Sequence, residues 1–176
     1  MIQTRVMDLA RQIRLLILDV DGVLTDGKLF FDYQGNEFKA FHAHDGHGIK
    51  MLQQTGIEIA VISGRDSLIV TKRMEELDVT LVYQGQRDKR AAFQDVLQKL
   101  NLTPQQVAYV GDDVVDLPIM MQVGLAIAVA NANAPVKAFA DWTTTLSGGL
   151  GAVREVCDMI MQAQNNFESL LNEYLA

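Results

Sequence analysis

The sequence predicts an α/β protein with an open, parallel, Rossmann-like sheet covered by helices on both faces, and three observations carry that prediction. Short apolar runs alternate with helical patterns through most of the 176 residues. Strand–helix–strand alternation of this kind implies parallel strands joined by right-handed crossovers. The first apolar run, Leu15-Leu16-Ile17-Leu18, ends in Asp19-Val20-Asp21-Gly22, two carboxylates one residue apart. Polar, chemistry-bearing residues also follow the next strand candidates, at the edge where open α/β sheets bind ligands.

Taken in order, the strand candidates are Leu15–Leu18, Ile57–Ile62, Thr80–Tyr83, Val107–Val110, Leu125–Val129 and Trp142–Thr145. Helical spacing marks Gly48–Thr55, Ser67–Leu77, Lys89–Leu100, Val114–Gln122 and a final helix from about Leu150 to Gln164. One segment interrupts the alternation. Residues 28–41 read as two short strands turning at Asp32–Asn36. A lone hairpin is marginal in water, yet this one carries Phe30, Phe31, Phe38 and Phe41. Those rings either fold back on the domain or meet copies of themselves, and an exposed aromatic edge favours the second.

Size and composition set the outer bounds. The length suits one domain, 1–176, with a hairpin insertion at 28–41 and a tail at 161–176, and 49% hydrophobic residues suffice for a real core. No apolar run is long enough for a bilayer, and the N-terminus, with Arg5, Arg11 and Arg14 but no apolar h-region before them and no small-residue cleavage site, is not expected to be a secretory signal. A lone Cys157 excludes an internal disulfide framework and suits a reducing cytoplasm. The net charge of −7 argues against a nucleic-acid surface, so an anionic substrate must be drawn in by local cations.

Four signals fall after successive strands: Asp19-x-Asp21-Gly22-x-x-Thr25, Ser63-Gly64-Arg65, Lys89, and Gly111-Asp112-Asp113-x-x-Asp116. Each has an ordinary reading. Ser63 with Asp66 could cap a helix, Arg65 and Arg73 could be a solvated face, and Asp112, Asp113 and Asp116 could open a helix. Together they fit phosphoryl transfer. A phosphate monoester repels a carboxylate nucleophile unless its oxygens are neutralised. Asp19 and Asp112, with the main-chain carbonyl of Asp21, can hold Mg²⁺, which prefers oxygen ligands and retains waters. Ser63 can cradle phosphate with its hydroxyl and a backbone N–H at a helix N-terminus, and Lys89 adds a compact charge. The Asp21 side chain is then free as general acid and base around an acyl phosphate on Asp19.

This set resembles the four motifs of the haloacid dehalogenase-like phosphatases and spans residues 15–120. The resemblance implies a Rossmann-like sheet, Mg²⁺ dependence and a phosphoaspartate intermediate, with Asp19 as nucleophile and ligand, Asp21 as acid/base and main-chain ligand, and Asp112 as the third ligand. The hairpin, Asp45-Gly46-His47-Gly48-Ile49, Gln84-Gly85 and Gly148-Gly-Leu-Gly-Ala-Val-Arg-Glu155 are similar to a capless branch acting on the 8-phosphate of an eight-carbon sugar acid of lipopolysaccharide. That branch implies homotetramers built through the hairpins, with each active site completed by a neighbour. It also implies that His42, Ala43, His44, Asp45 and Gly46, with Asp21, Gly64, Arg65, Arg73 and Lys89, hold the sugar acid and its phosphate. The family pattern has a basic residue where this chain has His44, so carboxylate affinity there is expected to be weaker or pH-dependent. A relative acting on a nine-carbon 9-phosphate is the nearest rival. A receiver-type signalling domain is another, disfavoured because its acidic pair follows the first strand and its phosphorylated Asp a later one.

Overall fold

The computed structural model describes residues 4–175. Six parallel strands form the main sheet: β1 (Leu15–Leu18), β4 (Glu58–Ile62), β5 (Leu81–Tyr83), β6 (Val107–Gly111), β7 (Leu125–Ala128) and β8 (Trp142–Thr143). Their order across the sheet is β5-β4-β1-β6-β7-β8. The chain therefore steps one way from β1 to β4 and β5, then crosses back to β6, leaving a switch point beside β1. Leu18 pairs in register with Val61 on one side and Val110 on the other. Asp19, Ser63 and Asp112 thereby leave the sheet side by side.

All four residues of β1 are buried, as expected for a strand covered on both faces. One helical layer contains α1 (Thr4–Ala10), α2 (Ala43–Gln54), α3 (Leu68–Glu76) and α7 (Ala152–Ala163), and the other contains α4 (Arg90–Leu100), α5 (Leu117–Met120) and α6 (Ala134–Phe139). No helix among the described residues is long and apolar enough to cross a membrane.

Several elements depart from the sequence reading. Helix α2 begins at Ala43, not Gly48, so His42–Gly46, outside the helix that the spacing marks, is the helix's N-cap and first turn. Gly46 and Gly48 disguise it, and Gly48 is there for packing. A Cβ on Gly48 would lie 3.2 Å from the Arg154 Cα and 3.3 Å from the Cys157 Cβ, and one on Gly46 only 2.3 Å from the Arg73 guanidinium. The helix expected at Val114–Gln122 divides into a 3₁₀ turn, Val114–Asp116, and the short α5. Helices α1, α6 and α8 (Phe167–Glu173) were not anticipated; α8 lies on α7 of its own chain, with Leu170 buried.

The hairpin forms between β2 (Phe30–Phe31) and β3 (Glu37–Phe38). Its turn is tied by Asp32, whose carboxylate accepts the N–H groups of Gln34 and Asn36, both at 2.8 Å. Phe30, Phe31 and Phe38 are about half exposed. Phe41 differs from the expectation, being partly buried against the core with the Arg73 guanidinium 5.9 Å from its ring centre.

Because Gly48 sets the approach of α2 to α7, Gly48→Val should overpack that seam and cost about 1–3 kcal/mol. Urea unfolding followed by circular dichroism measures this; an unchanged midpoint would mean that the helices have room to spare.

Candidate active site

Burial and charge concentrate at the carboxyl end of β1. Asp19 follows the strand directly, its N–H donating to the Val110 carbonyl at 3.1 Å, and the chain then enters a tight turn, Val20–Leu24. Gly22 stands there at φ +95°, and a Cβ on it would fall 2.1 Å from the Asp112 carboxylate. Glycine is thus required twice over, by backbone conformation and by the carboxylate seated against it.

Lys89 comes from the far side of the sheet, at the start of α4, and is buried. Its ammonium donates to Asp116 Oδ1 at 2.7 Å and to the Tyr109 hydroxyl at 3.1 Å, and sits 2.8 Å from Asp19 Oδ1. Burial works against its charge, but Asp19 and Asp116 outweigh it and hold its pKa above the ordinary lysine value. Asp116 is completely buried: Oδ1 also accepts from Tyr109 at 2.6 Å, and Oδ2 accepts the N–H groups of Asp112 and Asp113 at 3.0 and 3.3 Å.

Carboxylate oxygens of Asp19, Asp112 and Asp116 all lie within 4.8 Å of one another. The cluster is over-supplied with negative charge, three carboxylates against one ammonium. Burial and then the Asp116 charge raise the Asp19 pKa to about 6 despite Lys89. Burial, followed by Asp19, Asp116 and Asp113, raises Asp112 to about 7. Both oxygens of Asp116 are already taken, so the groups left to meet a cation are Asp19 and Asp112. The surplus of two negative charges and the all-oxygen donor set fit a hard divalent ion such as Mg²⁺.

A cavity of about 300 Å³ opens above this cluster, lined among others by Asp19, Asp21, Ser63, Gly64, Arg65, Lys89 and Asp112. Ser63 is buried, and its hydroxyl accepts from the Arg65 N–H at 3.3 Å. Two details correct the sequence reading. The Ser63 N–H donates to the Tyr83 carbonyl at 2.9 Å, so it is committed to the sheet. Ser63 is also not at a helix N-terminus, since α3 starts at Leu68 with Ser67 at its N-cap position. A sharp strand-end loop separates the two.

Asp21 lies at the cavity's side, paired with Lys39 and 3.4 Å from Arg65 Nε. Lys39 and Glu37 arrive on the hairpin. Glu37 accepts from Arg65 at 2.7 Å and from the Ser67 hydroxyl at 2.7 Å, and lies 3.2 Å from Lys39. These two residues and Asp116 and Tyr109 were missed as site residues. Asp116 sat within the quoted fourth motif, but nothing in a linear sequence says that a hairpin folds its second strand over the sheet edge.

The remaining candidates lie elsewhere. Asp45 is buried beneath α7, its Oδ1 accepting the Arg154 N–H at 2.7 Å. Burial raises its pKa despite that bond. Arg73 and Gly46 pack together between α3 and α2. His42 and His44 stand edge to face, ring centres 5.0 Å apart, on a second cavity of about 560 Å³ shared with Arg154 and Asp158. Ala43 opens α2. Within one chain these residues do not meet the Asp19 cavity.

A family model described as haloacid dehalogenase-like hydrolase matches residues 79–155. The 3-deoxy-D-manno-octulosonate 8-phosphate phosphatase of Salmonella typhi is 48% identical over 167 residues, covering 95% of this chain and 89% of that protein. The crystal structure of the phosphatase of that name from Yersinia pestis superposes with a TM-score of 0.94 at 46% identity, covering 95% of this chain and 90% of that one. A structure of the Moraxella catarrhalis phosphatase of the same name, in complex with magnesium ion, phosphate ion and KDO, gives 0.96 at 40% identity, covering 98% and 99%. The chain belongs to the haloacid dehalogenase-like hydrolases and, among them, to the family of the 3-deoxy-D-manno-octulosonate 8-phosphate phosphatases.

The raised pKa of Asp112 carries a stability consequence. A carboxyl whose folded pKa exceeds its unfolded value costs nothing at low pH, where both states are protonated. The cost builds as pH rises from about 4 and is complete above about 7. Metal-free Asp112→Asn should therefore melt higher than the metal-free parent at pH 8, with the gain shrinking towards pH 4, while needing more Mg²⁺ for activity. Thermal scans with and without chelator test both halves; a variant melting lower at pH 8 would contradict the electrostatic account.

Proposed function

We propose that the protein is a Mg²⁺-dependent phosphomonoesterase that hydrolyses 3-deoxy-D-manno-octulosonate 8-phosphate to the free sugar acid and phosphate, a step in supplying lipopolysaccharide precursors. The observation that carries this reading is the Asp19 carboxylate, flanked by Lys89 and Asp112 at the floor of a cavity, in a chain nearly half identical to phosphatases of that name over most of its length.

Asp19 is the nucleophile: one carboxylate oxygen attacks phosphorus and the sugar alkoxide leaves, forming an aspartyl phosphate. Lys89 offsets charge on Asp19, and the Ser63 hydroxyl with Lys89 holds the phosphoryl oxygens. Asp21 delivers a proton to the departing oxygen, then takes one from the water that cleaves the acyl phosphate. Arg65, which lines the same cavity as Lys89, suits an anionic substrate. Asp19 and Asp112, with the Asp21 carbonyl, would hold Mg²⁺, which when bound supplies positive charge to a nucleophile and an electrophile that otherwise repel.

The same reading makes the protein a cytoplasmic homotetramer. Support comes from the exposed rings of Phe30, Phe31 and Phe38, which a two-stranded hairpin cannot bury by itself. His42, Ala43 and His44, which reach the surface but do not line the Asp19 cavity of their own chain, then belong to the substrate surface through a neighbouring copy, with Asp45, Gly46 and Arg73 supporting them from beneath.

Phosphate release by purified protein should favour the eight-carbon 8-phosphate over a nine-carbon sugar-acid 9-phosphate by at least about tenfold in kcat/KM, a difference of about 1.4 kcal/mol. Chelator should abolish the reaction, and Asp19→Asn should remove it while the protein stays folded. A reversed ratio would reassign the substrate; near-parental activity in the Asn variant would remove Asp19 from its role. Replacing Phe30 and Phe38 together by Asp should convert the tetramer to smaller species in sedimentation velocity. A parent that sediments as a monomer would refute the assembly.

A further inference from the structure

Tyr109 lies on β6, two residues before Gly111, fully buried, and no step above uses it. Its hydroxyl nevertheless touches two of the most constrained groups in the molecule. Direction follows from donor inventory. Lysine has no acceptor, so the Lys89 ammonium donates to the phenol oxygen at 3.1 Å, and the phenol spends its single hydrogen on Asp116 Oδ1 at 2.6 Å. Lys89 also donates to Asp116 at 2.7 Å. Lys89, Asp116 and Tyr109 thus close a ring, with the phenol and Asp116 oxygens together on one side of an ammonium that also sits 2.8 Å from Asp19 Oδ1.

An ammonium on a flexible four-carbon stem has no preferred direction of its own. Here a phenol and a carboxylate, their oxygens only 2.6 Å apart, hold the same side of the ammonium, which leaves hydrogens for the nucleophile and for the cavity that Lys89 lines. The phenol also fixes that carboxylate by donating to it, so the head cannot swing with a mobile partner, and burial of the whole ring strengthens each bond. We propose that Tyr109 is a positioning residue: its hydroxyl orients Lys89 onto Asp19, acting on the chemical step and not on the affinity for substrate or metal. The inference rests on the phosphatase reading of this site but not on the identity of the sugar acid.

The test is Tyr109→Phe, which deletes one oxygen and keeps the ring in the core. Steady-state kinetics with both the eight-carbon sugar-acid 8-phosphate and p-nitrophenyl phosphate should show kcat reduced about tenfold, the scale of one hydrogen bond to a charged group. KM and the Mg²⁺ concentration for half-activation should stay within about twofold. A phenol serving only the fold would instead leave kcat within twofold while lowering the melting temperature, or loosen KM and the metal requirement together. Either result overturns the proposal, as does a Phe variant that fails to fold, because the hydroxyl would then be serving stability. Parental protein turning over p-nitrophenyl phosphate but not the sugar-acid phosphate would fault the substrate assignment and leave the Tyr109 comparison readable on the simpler ester.

Discussion

The structure depends on the buried charge of Lys89. The Lys89 ammonium stands among Asp19, Asp116 and the Tyr109 hydroxyl, and residues from β1, β6, the start of α4 and the 3₁₀ turn after β6 all meet on it. A buried ion pair is weak evidence for stability in itself, because desolvation offsets most of the attraction, but removing one partner strands the other. Asp116 shows how tightly this is arranged: one oxygen answers Lys89 and Tyr109, the other the two N–H groups that shape the Asp112–Asp113 loop. The same carboxylate therefore fixes both the cation and the backbone that presents Asp112.

The edge remains electrostatically unfinished within the chain. Burial together with like charge raises Asp19 and Asp112 well above the usual carboxylate range, Lys89 notwithstanding. Tension of this kind is characteristic of functional sites, where stability is given up for a poised arrangement. It also explains why Gly22 is indispensable, since the Asp112 carboxylate occupies the space where any other residue would carry its Cβ. The hairpin contributes a second network, with Glu37 and Lys39 linking Asp21, Arg65 and Ser67 across the mouth of the cavity. An insertion with so little strand of its own is thus tied to the site by ion pairs.

Much of this was legible in the linear sequence. The apolar run into Asp19-x-Asp21 marked a buried strand with a reactive end, and the alternation of strands and helices implied one edge for Ser63 and Asp112 as well. Less legible was anything with disguised periodicity. Gly46 and Gly48 weakened the helical pattern at the start of α2, although Gly48 is where the Arg154 backbone of α7 presses closest. Short helices such as α1, α6 and α8 carry too few turns for the spacing of apolar residues to stand out.

By itself the sequence determined which strands exist, that they run parallel, and which residue types stand at their ends, because those follow from local hydrophobic period and chain connectivity. Tertiary structure alone decided which of those groups touch. The order β5-β4-β1-β6 brings Lys89 across to Asp19, and burial forces Asp116 and Tyr109 to find partners there. The Ser63 N–H went to the sheet for the same reason, since a strand-end donor in reach of the Tyr83 carbonyl cannot stay unpaired when buried. Distances between side chains 70 to 90 residues apart are set by how sheets twist and helices pack, and a linear pattern does not contain them.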